Sequence, residues 1–497
     1  MTERRAFFGV LAMAGAQAAR YGLQFAVLPV LARLLGPQAY GLAGLALPFI
    51  FLANMVADMG LGNALVRTPE PSVRLESTIF WLCEGACAGF MLLIALLAWP
   101  AAQLFKAPGL VPILLALSPI LLLCGALSAP NARIMRARRF AVFAAADTAA
   151  GAIGAGAAVA AALAGWGAWS LVVQQLALWT VKTAWVTLAS RFRPRLVFTF
   201  SAARPHLVFG AHTALANIAD LLGKSAPPLI VGACLGVQAV GHYSMANQII
   251  RVPDALVSGP VYLALFAAVA GRSQELDAAG RLARRALRGI AVGIAPMFAG
   301  LAVTADLAVR VFLGPKWLEA TSVLVAITPA GFLICVYSIV IAALLGLGRS
   351  AAQLHLTLAT GVLMNAGVLI GARFGAAGSA LGLSLGAILI APAYLWSLAR
   401  SLHTPVATLA GEAAAPLAAS VVMALAALLV RRSVEGWPNW AALAATVLAG
   451  VATFAAALAL FCGRRVLEDV RAVLPRRSFP PKGKEGPRSL EANGRMG

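Results

Sequence analysis

Apolar residues fall along this chain in long continuous runs, broken by short clusters of glycine, proline and arginine. Fourteen runs stand out, at 7–34, 40–66, 78–99, 110–129, 140–165, 166–190, 207–235, 241–270, 287–312, 320–347, 351–371, 376–398, 413–430 and 440–462. An α-helix needs about 20 apolar residues to cross a bilayer, and the runs have that length. A membrane β-barrel would instead carry alternating segments of about ten residues. The pattern predicts an all-α polytopic membrane protein of about 14 transmembrane helices.

Composition sharpens this reading. Of 497 residues 61% are hydrophobic and 11% charged, which excludes a soluble globule. The net charge of +21 would suggest a nucleic-acid partner in a soluble protein. Here the basic residues sort by loop: the N-terminus and even-numbered loops hold 21 and the odd-numbered loops 7. That bias places both termini in the cytoplasm and makes most of the charge an orientation signal, with no nucleic acid implied. The first run is too long for a cleavable signal and carries Arg20 at its centre. Residues 464–497, with Pro475, Pro480, Pro481, Lys482 and Lys484, read as a disordered basic tail beside anionic membrane lipids.

Leu35-Gly36-Pro37-Gln38-Ala39-Tyr40-Gly41 returns as Leu235-Gly236-Val237-Gln238-Ala239-Val240-Gly241. A second echo pairs Ser118-Pro119 with Thr328-Pro329, and Arg139 with Arg349. Two echoes in the same order suggest duplication of a six-helix unit, although Gly-Pro turns look alike in many polytopic chains. Because six is even, the halves are expected to share one orientation about an axis along the membrane normal. The division predicted is 1–200 and 201–400 for the two six-helix lobes, 401–463 for helices 13 and 14, and 464–497 for the tail. Two such lobes suit a rocking transporter with its site between them.

Ionisable groups near mid-span are costly and tend to face a bundle interior or a wet cavity. The first half carries Arg20, Asp58, Glu84, Asp147 and Lys182; the second carries Asp220, Lys224, Arg251 and Asp254. Asp220 with Lys224 and Arg251 with Asp254 have spacings that allow self-neutralisation on one helix face. The alternative is a cavity in which Arg20, Lys224 and Arg251 attract a phosphate or pyrophosphate. Span eight adds a polar run of Tyr243, Ser244, Asn247, Gln248, Arg251 and Asp254, with Pro253 and Pro260. Asn247, Arg251 and Asp254 share a face at helical spacing, either lining a pathway or forming a helix–helix seam.

Other chemistry finds little support. The six cysteines all lie in apolar spans with no histidine cluster, so no metal site is expected. Gly223-Lys224-Ser225 ends like a phosphate-binding loop, but Ile218 stands where the first glycine is required. No ATP site and no cofactor are expected. Odd-numbered loops are too short for a membrane glycosyltransferase, so the chain is not expected to be an enzyme.

The stretch Val30-Leu31-Ala32-Arg33-Leu34-Leu35-Gly36-Pro37-Gln38-Ala39-Tyr40-Gly41, with Asp58-Met59-Gly60-Leu61-Gly62-Asn63-Ala64-Leu65-Val66, resembles the polysaccharide-transporter (Wzx-like flippase) branch of the multidrug/oligosaccharidyl-lipid/polysaccharide (MOP) exporter superfamily. Phe209-Gly210, Gly241-His242-Tyr243-Ser244-Met245-Ala246 and Ile250-Arg251-Val252-Pro253 agree. The likeness spans about residues 6–398 and is greatest to the WzxC-like exporters. It implies two lobes forming a V, a cationic alternating-access cavity and an undecaprenyl-pyrophosphate-linked oligosaccharide as substrate. It also implies an ion gradient or membrane potential as energy source, and a polysaccharide polymerase and export machinery as partners in the bacterial inner membrane. Arg20 and Arg251 occupy spans that carry cavity arginines in related flippases. On this reading Arg20, Lys224, Arg251 and Asn247 bind substrate, while Asp58, Asp220 and Asp254 bind a coupling ion or balance charge. A multidrug or metabolite antiporter of the same superfamily is the alternative.

Overall fold

A computed structural model describes residues 22, 25–58, 61–68, 71–137, 139–199, 223 and 225–473. Arg20, Asp220, Lys224 and the residue 200/201 boundary lie outside them, as does the tail beyond residue 473. The first half contains α1 (Phe25–Leu34), α2 (Pro37–Asp58), α3 (Leu61–Arg67), α4 (Val73–Leu104), α5 (Leu110–Leu117), α6 (Ile120–Gly125), α7 (Ser128–Arg136), α8 (Phe140–Leu163) and α9 (Trp169–Ser190). The second contains α10 (Ser225–Leu235), α11 (Val237–Pro253), α12 (Gly259–Ala270), α13 (Leu276–Ala308), α14 (Ala320–Gly346), α15 (Ser350–Gly371) and α16 (Gly375–Leu402). Helices α17 (Val406–Ser433) and α18 (Asn439–Val473) pair with each other and pack on α13.

Among the described residues eight segments are long and apolar enough to cross a bilayer, and the bent stretch α5–α7 makes a ninth. One of the eight is the α15–α16 hairpin, in which each helix is long enough to span by itself. Leucines such as Leu96 (74% exposed) and Leu460 (82% exposed) sheathe the outside, where lipid replaces water as the apolar solvent. The chain is an all-α, multi-pass membrane protein.

The fourth run is not one helix. It divides at Ser118-Pro119 and again before Ser128, with a 40° bend between 110–125 and 128–136. Pro119 supplies no N–H and crowds the preceding turn. Its echo Thr328-Pro329 stays inside the continuous α14. The hydroxyls nevertheless do the same thing: Ser118 Oγ donates to the Leu115 carbonyl and Thr328 Oγ1 to that of Val325.

Backbone geometry repeats as well. Arg139 and Arg349 enter α8 and α15 with φ/ψ of −85°/52° and −89°/52°. Each N–H bonds to the carbonyl five residues back, on Ile134 and Leu344. Arg191 and His403, closing α9 and α16, both take the left-handed region at φ 52° and 51°. Backbone conformation therefore repeats at these paired positions of the two halves.

Two helices outrun the apolar runs that predict them by eleven residues at one end. Helix α13 begins at Leu276 rather than 287, because a helix can continue past the hydrocarbon wherever its polar side chains find partners. Arg288 donates to Glu412 of α17 with Nε at 2.8 Å, and Arg284 lies 4.0 Å from the same carboxylate. Helix α18 runs to Val473, ten residues beyond the expected tail boundary at 463. The sequence Arg464-Arg465-Val466-Leu467-Glu468-Asp469 places opposite charges four apart, a spacing that supports a helix in water.

At one end of the first half, Glu76 is 3% exposed and accepts from Arg133 Nε at 2.9 Å and from Arg136 at 2.5 Å. The segment after α9 is tied to the same place, with Arg195 N–H donating to Ser77 Oγ and Trp81 Nε1 to the Arg195 carbonyl. Removing a fully buried ion partner costs about 3–5 kcal/mol. The arginine side chains here are 28% and 22% exposed, which screens the two cations left behind. Glu76→Ala is therefore expected to cost about 2 kcal/mol, read as a lower thermal midpoint of the solubilised chain. An unchanged midpoint would mean the cluster holds nothing.

Candidate functional site

A cavity of about 520 Å³ lies between the halves. Helix periodicity explains its walls. From α11 come Ser244, Asn247, Gln248 and Arg251, at spacings of three, four and seven, so this wall is polar from end to end. From α2 come Tyr40, Ala43, Gly44, Leu47, Pro48 and Phe51, a mostly apolar stripe. Helix α9 adds Gln174, Gln175, Leu178 and Trp179, while α10 adds Ser225 and Pro228. The α11 wall thus suits charge and hydroxyls, and the α2 wall suits hydrocarbon.

Of the residues singled out from sequence, Asn247 and Arg251 line this cavity. Asp254 does not. It opens a π-helical turn, Asp254–Ser258, which follows Pro253 and ends the regular register of α11. Its carboxylate lies near the Cys335 thiol on α14. The self-neutralising alternative is not seen for this pair: no ion pair joins Arg251 to Asp254 among the described residues. Asp58 ends the backbone of α2, and its side chain is outside the described residues, as are Arg20, Asp220 and Lys224. Ser225, which follows Lys224, is on the cavity wall.

Two further intramembrane charges pair across helices, with Lys182 Nζ 2.8 Å from Asp147. Glu84 is half-buried against Gly125 and Cys87. No group of histidine, cysteine and acidic residues that could hold a metal occurs among the described residues.

The cavity is sealed at the end where α1 meets α2 and α10 meets α11. The two copies of the repeated heptapeptide pack against each other there. A methyl group at Gly41 would meet the Val237 carbonyl oxygen at 1.9 Å, and one at Gly241 would meet that of Pro37 at 1.9 Å. These contacts exchange under the repeat, as in an isologous two-fold interface. Next along, Gly44 faces its own counterpart, Ser244, whose Oγ would lie 2.6 Å from an added methyl.

The turn after α13 caps this crossing. Trp317, fully buried, donates Nε1–H to the Ala32 carbonyl at 2.8 Å and meets Tyr40 edge-on at 5.3 Å. Arg33 donates to the carbonyls of Val311 and Phe312. His242 Nδ1 stands 3.3 Å from Glu319. Sequence reasoning missed Trp317 and the α9 wall. The adjacent amides Gln174-Gln175 inside an apolar run were the signal available for the latter.

Residues 30–322, which carry the sealed end and most of the cavity wall, match the family described as "Polysaccharide biosynthesis protein". The chain belongs to this family. Within the polysaccharide biosynthesis proteins it is 26% identical over 409 residues to the succinoglycan biosynthesis transport protein ExoT of Rhizobium meliloti (strain 1021), covering 82% of each chain. It is 24% identical to the lipopolysaccharide biosynthesis protein WzxC of Escherichia coli (strain K12), over 63% of this chain and 64% of that one. Among solved structures, the lipid II flippase MurJ in an inward closed conformation superposes with a TM-score of 0.74 at 12% identity, covering 93% of this chain and 100% of MurJ. An inward-facing multidrug resistance MATE family transporter of the MOP superfamily gives 0.60 at 15% identity, over 80% and 99%. This polysaccharide biosynthesis protein therefore has the fold of the MOP-superfamily transporters.

Proposed function

We propose that the chain is a flippase that moves an undecaprenyl-pyrophosphate-linked oligosaccharide, a lipopolysaccharide or exopolysaccharide repeat, across the membrane by alternating access. The observation that carries this reading is the cavity between the duplicated halves, with the Arg251 guanidinium on an otherwise amide and hydroxyl wall. Arginine's planar fork matches two phosphate oxygens at once. The transport for which ExoT is named supports the reading, as does the fold shared with a lipid II flippase.

In this reading Arg251 binds the pyrophosphate with Arg20 and Lys224, and Asn247 binds beside it. Asp58, Asp220 and Asp254 hold a coupling ion or balance charge. An ion gradient or the membrane potential drives the cycle without ATP or any cofactor, and the chain transports rather than catalyses. It sits in the inner membrane of a bacterium with both termini cytoplasmic, an orientation supported by the loop distribution of arginine. The sealed end, bearing Arg33 and Trp317, then faces outward. Residues 1–200 and 201–400 act as the rocking lobes, residues 401–463 add a peripheral pair, and polymerase and export machinery take the product onward.

A multidrug antiporter shares the fold. A guanidinium on the wall would repel the cationic compounds such a pump handles, so this reading is second. Mass spectrometry of lipid-linked oligosaccharides in a deletion strain separates the cases. The expected result is build-up of the completed unit on the inner leaflet. A truncated glycan would indicate an enzyme, and an unchanged lipid pool a drug exporter.

A further inference from the structure

We propose that the α9 wall, Gln174, Gln175 and Trp179, is a glycan subsite that recognises the hydroxyl-bearing sugar rings of the lipid-linked oligosaccharide; this rests on the flippase reading. Among the described residues the cavity presents four amide side chains, Gln174 and Gln175 on α9 and Asn247 and Gln248 on α11. None of the four amides is hydrogen-bonded to another described residue. Asn365, on the same fold, marks the contrast: its amide donates to the carbonyls of Gly223 and Gly361. Unpaired amides at membrane depth are tolerated only where water or a ligand meets them.

Their chemistry selects the ligand. A sugar hydroxyl donates and accepts at once, and an amide offers both an acceptor oxygen and a donor nitrogen. Trp179 follows Gln175 by one helical turn and adds a flat apolar surface of the kind that the C–H face of a pyranose ring covers. Its ring is held in place: Lys182 Nζ lies 5.4 Å from the indole centroid and is itself fixed by Asp147. That pairing cancels the lysine charge, which leaves the α9 wall to sugars while Arg251 on α11 takes the anion. A volume of about 520 Å³ accommodates a few sugar rings and leaves no room for the polyprenyl tail.

The test measures equilibrium binding of two probes by the full chain in lipid nanodiscs. One probe is the lipid-linked oligosaccharide extracted from a deletion strain, and the other is undecaprenyl pyrophosphate, the same lipid stripped of its glycan. The wild type is expected to bind the intact lipid at least about tenfold more tightly than the stripped one. Trp179→Ala and the double variant Gln174→Ala/Gln175→Ala should each lose about that tenfold for the intact lipid and none for the stripped lipid. Trp179→Phe, which keeps an aromatic face, should recover most of it. The double variant guards against a tryptophan variant that fails to fold, since neither glutamine amide bonds to a described residue. Equal weakening of both probes, or no weakening of either, overturns the subsite. If the wild type binds both probes equally, the subsite falls and the flippase stands. If it binds neither, both fall.

Discussion

Gly41→Leu is expected to abolish export while the protein remains in the membrane at a normal level. The added Cβ would sit 1.9 Å from the Val237 carbonyl oxygen, about half a normal contact distance. The obstacle is backbone, which cannot rotate away as a side-chain tip can. Helices α2 and α11 must therefore separate, and the sealed end separates with them. The Trp317 hydrogen bond to Ala32 and the Arg33 bonds to the π-helical turn after α13 span the same junction and weaken with it.

Because the contact is reciprocal, Gly241→Leu should give the same phenotype through the Pro37 carbonyl. The double variant should be little worse than either single one, since each already opens the shared crossing. Accessibility distinguishes an open end from a misfolded chain. With a cysteine at Ser244 in a cysteine-free background, a membrane-impermeant thiol reagent added outside should label the glycine variants and spare the parent. Normal export by Gly41→Leu would remove the crossing from the transport cycle altogether.

The repeat was legible as a motif, but its consequence was not. Similarity at an offset of two hundred residues marks two like turns and says nothing of whether they touch. Only the three-dimensional crossing brings Gly41 to Val237 and Gly241 to Pro37. Helix positions could be read because bilayer thickness sets a minimum apolar length, a constraint the sequence must meet directly. Helix ends could not, since nothing in the hydrocarbon fixes where a helix stops: α13 gains eleven residues through arginines that bind Glu412.

The site divides in the same way. Arg251 and Asn247 could be identified because charge and amides on a helix with two prolines are conspicuous at membrane depth. Gln174 and Gln175 carry no charge, and Trp179 in sequence resembles any lipid-facing aromatic. Asp254 shared the predicted face of Arg251, but it opens a π turn and is not on the cavity wall. A local break in helical register is invisible to a count of spacings.

Arg251→Ala should lower export by about 30- to 150-fold, the loss of a charge-assisted contact worth about 2–3 kcal/mol. Arg251→Lys keeps the charge and loses the fork, so it should stand between the two, about tenfold below the parent. Arg251→Glu should be inactive, because a carboxylate repels the pyrophosphate the wall exists to hold. The measurement is surface polysaccharide set against inner-leaflet lipid-linked oligosaccharide, at matched protein levels. A second variant tests the mechanism: if Arg251 served only to balance Asp254, then Arg251→Ala with Asp254→Asn would restore export. No ion pair links the two among the described residues, and Asp254 turns toward Cys335 instead. The double variant is therefore expected to export no better than Arg251→Ala, and its recovery would reassign the arginine from ligand binding to charge compensation.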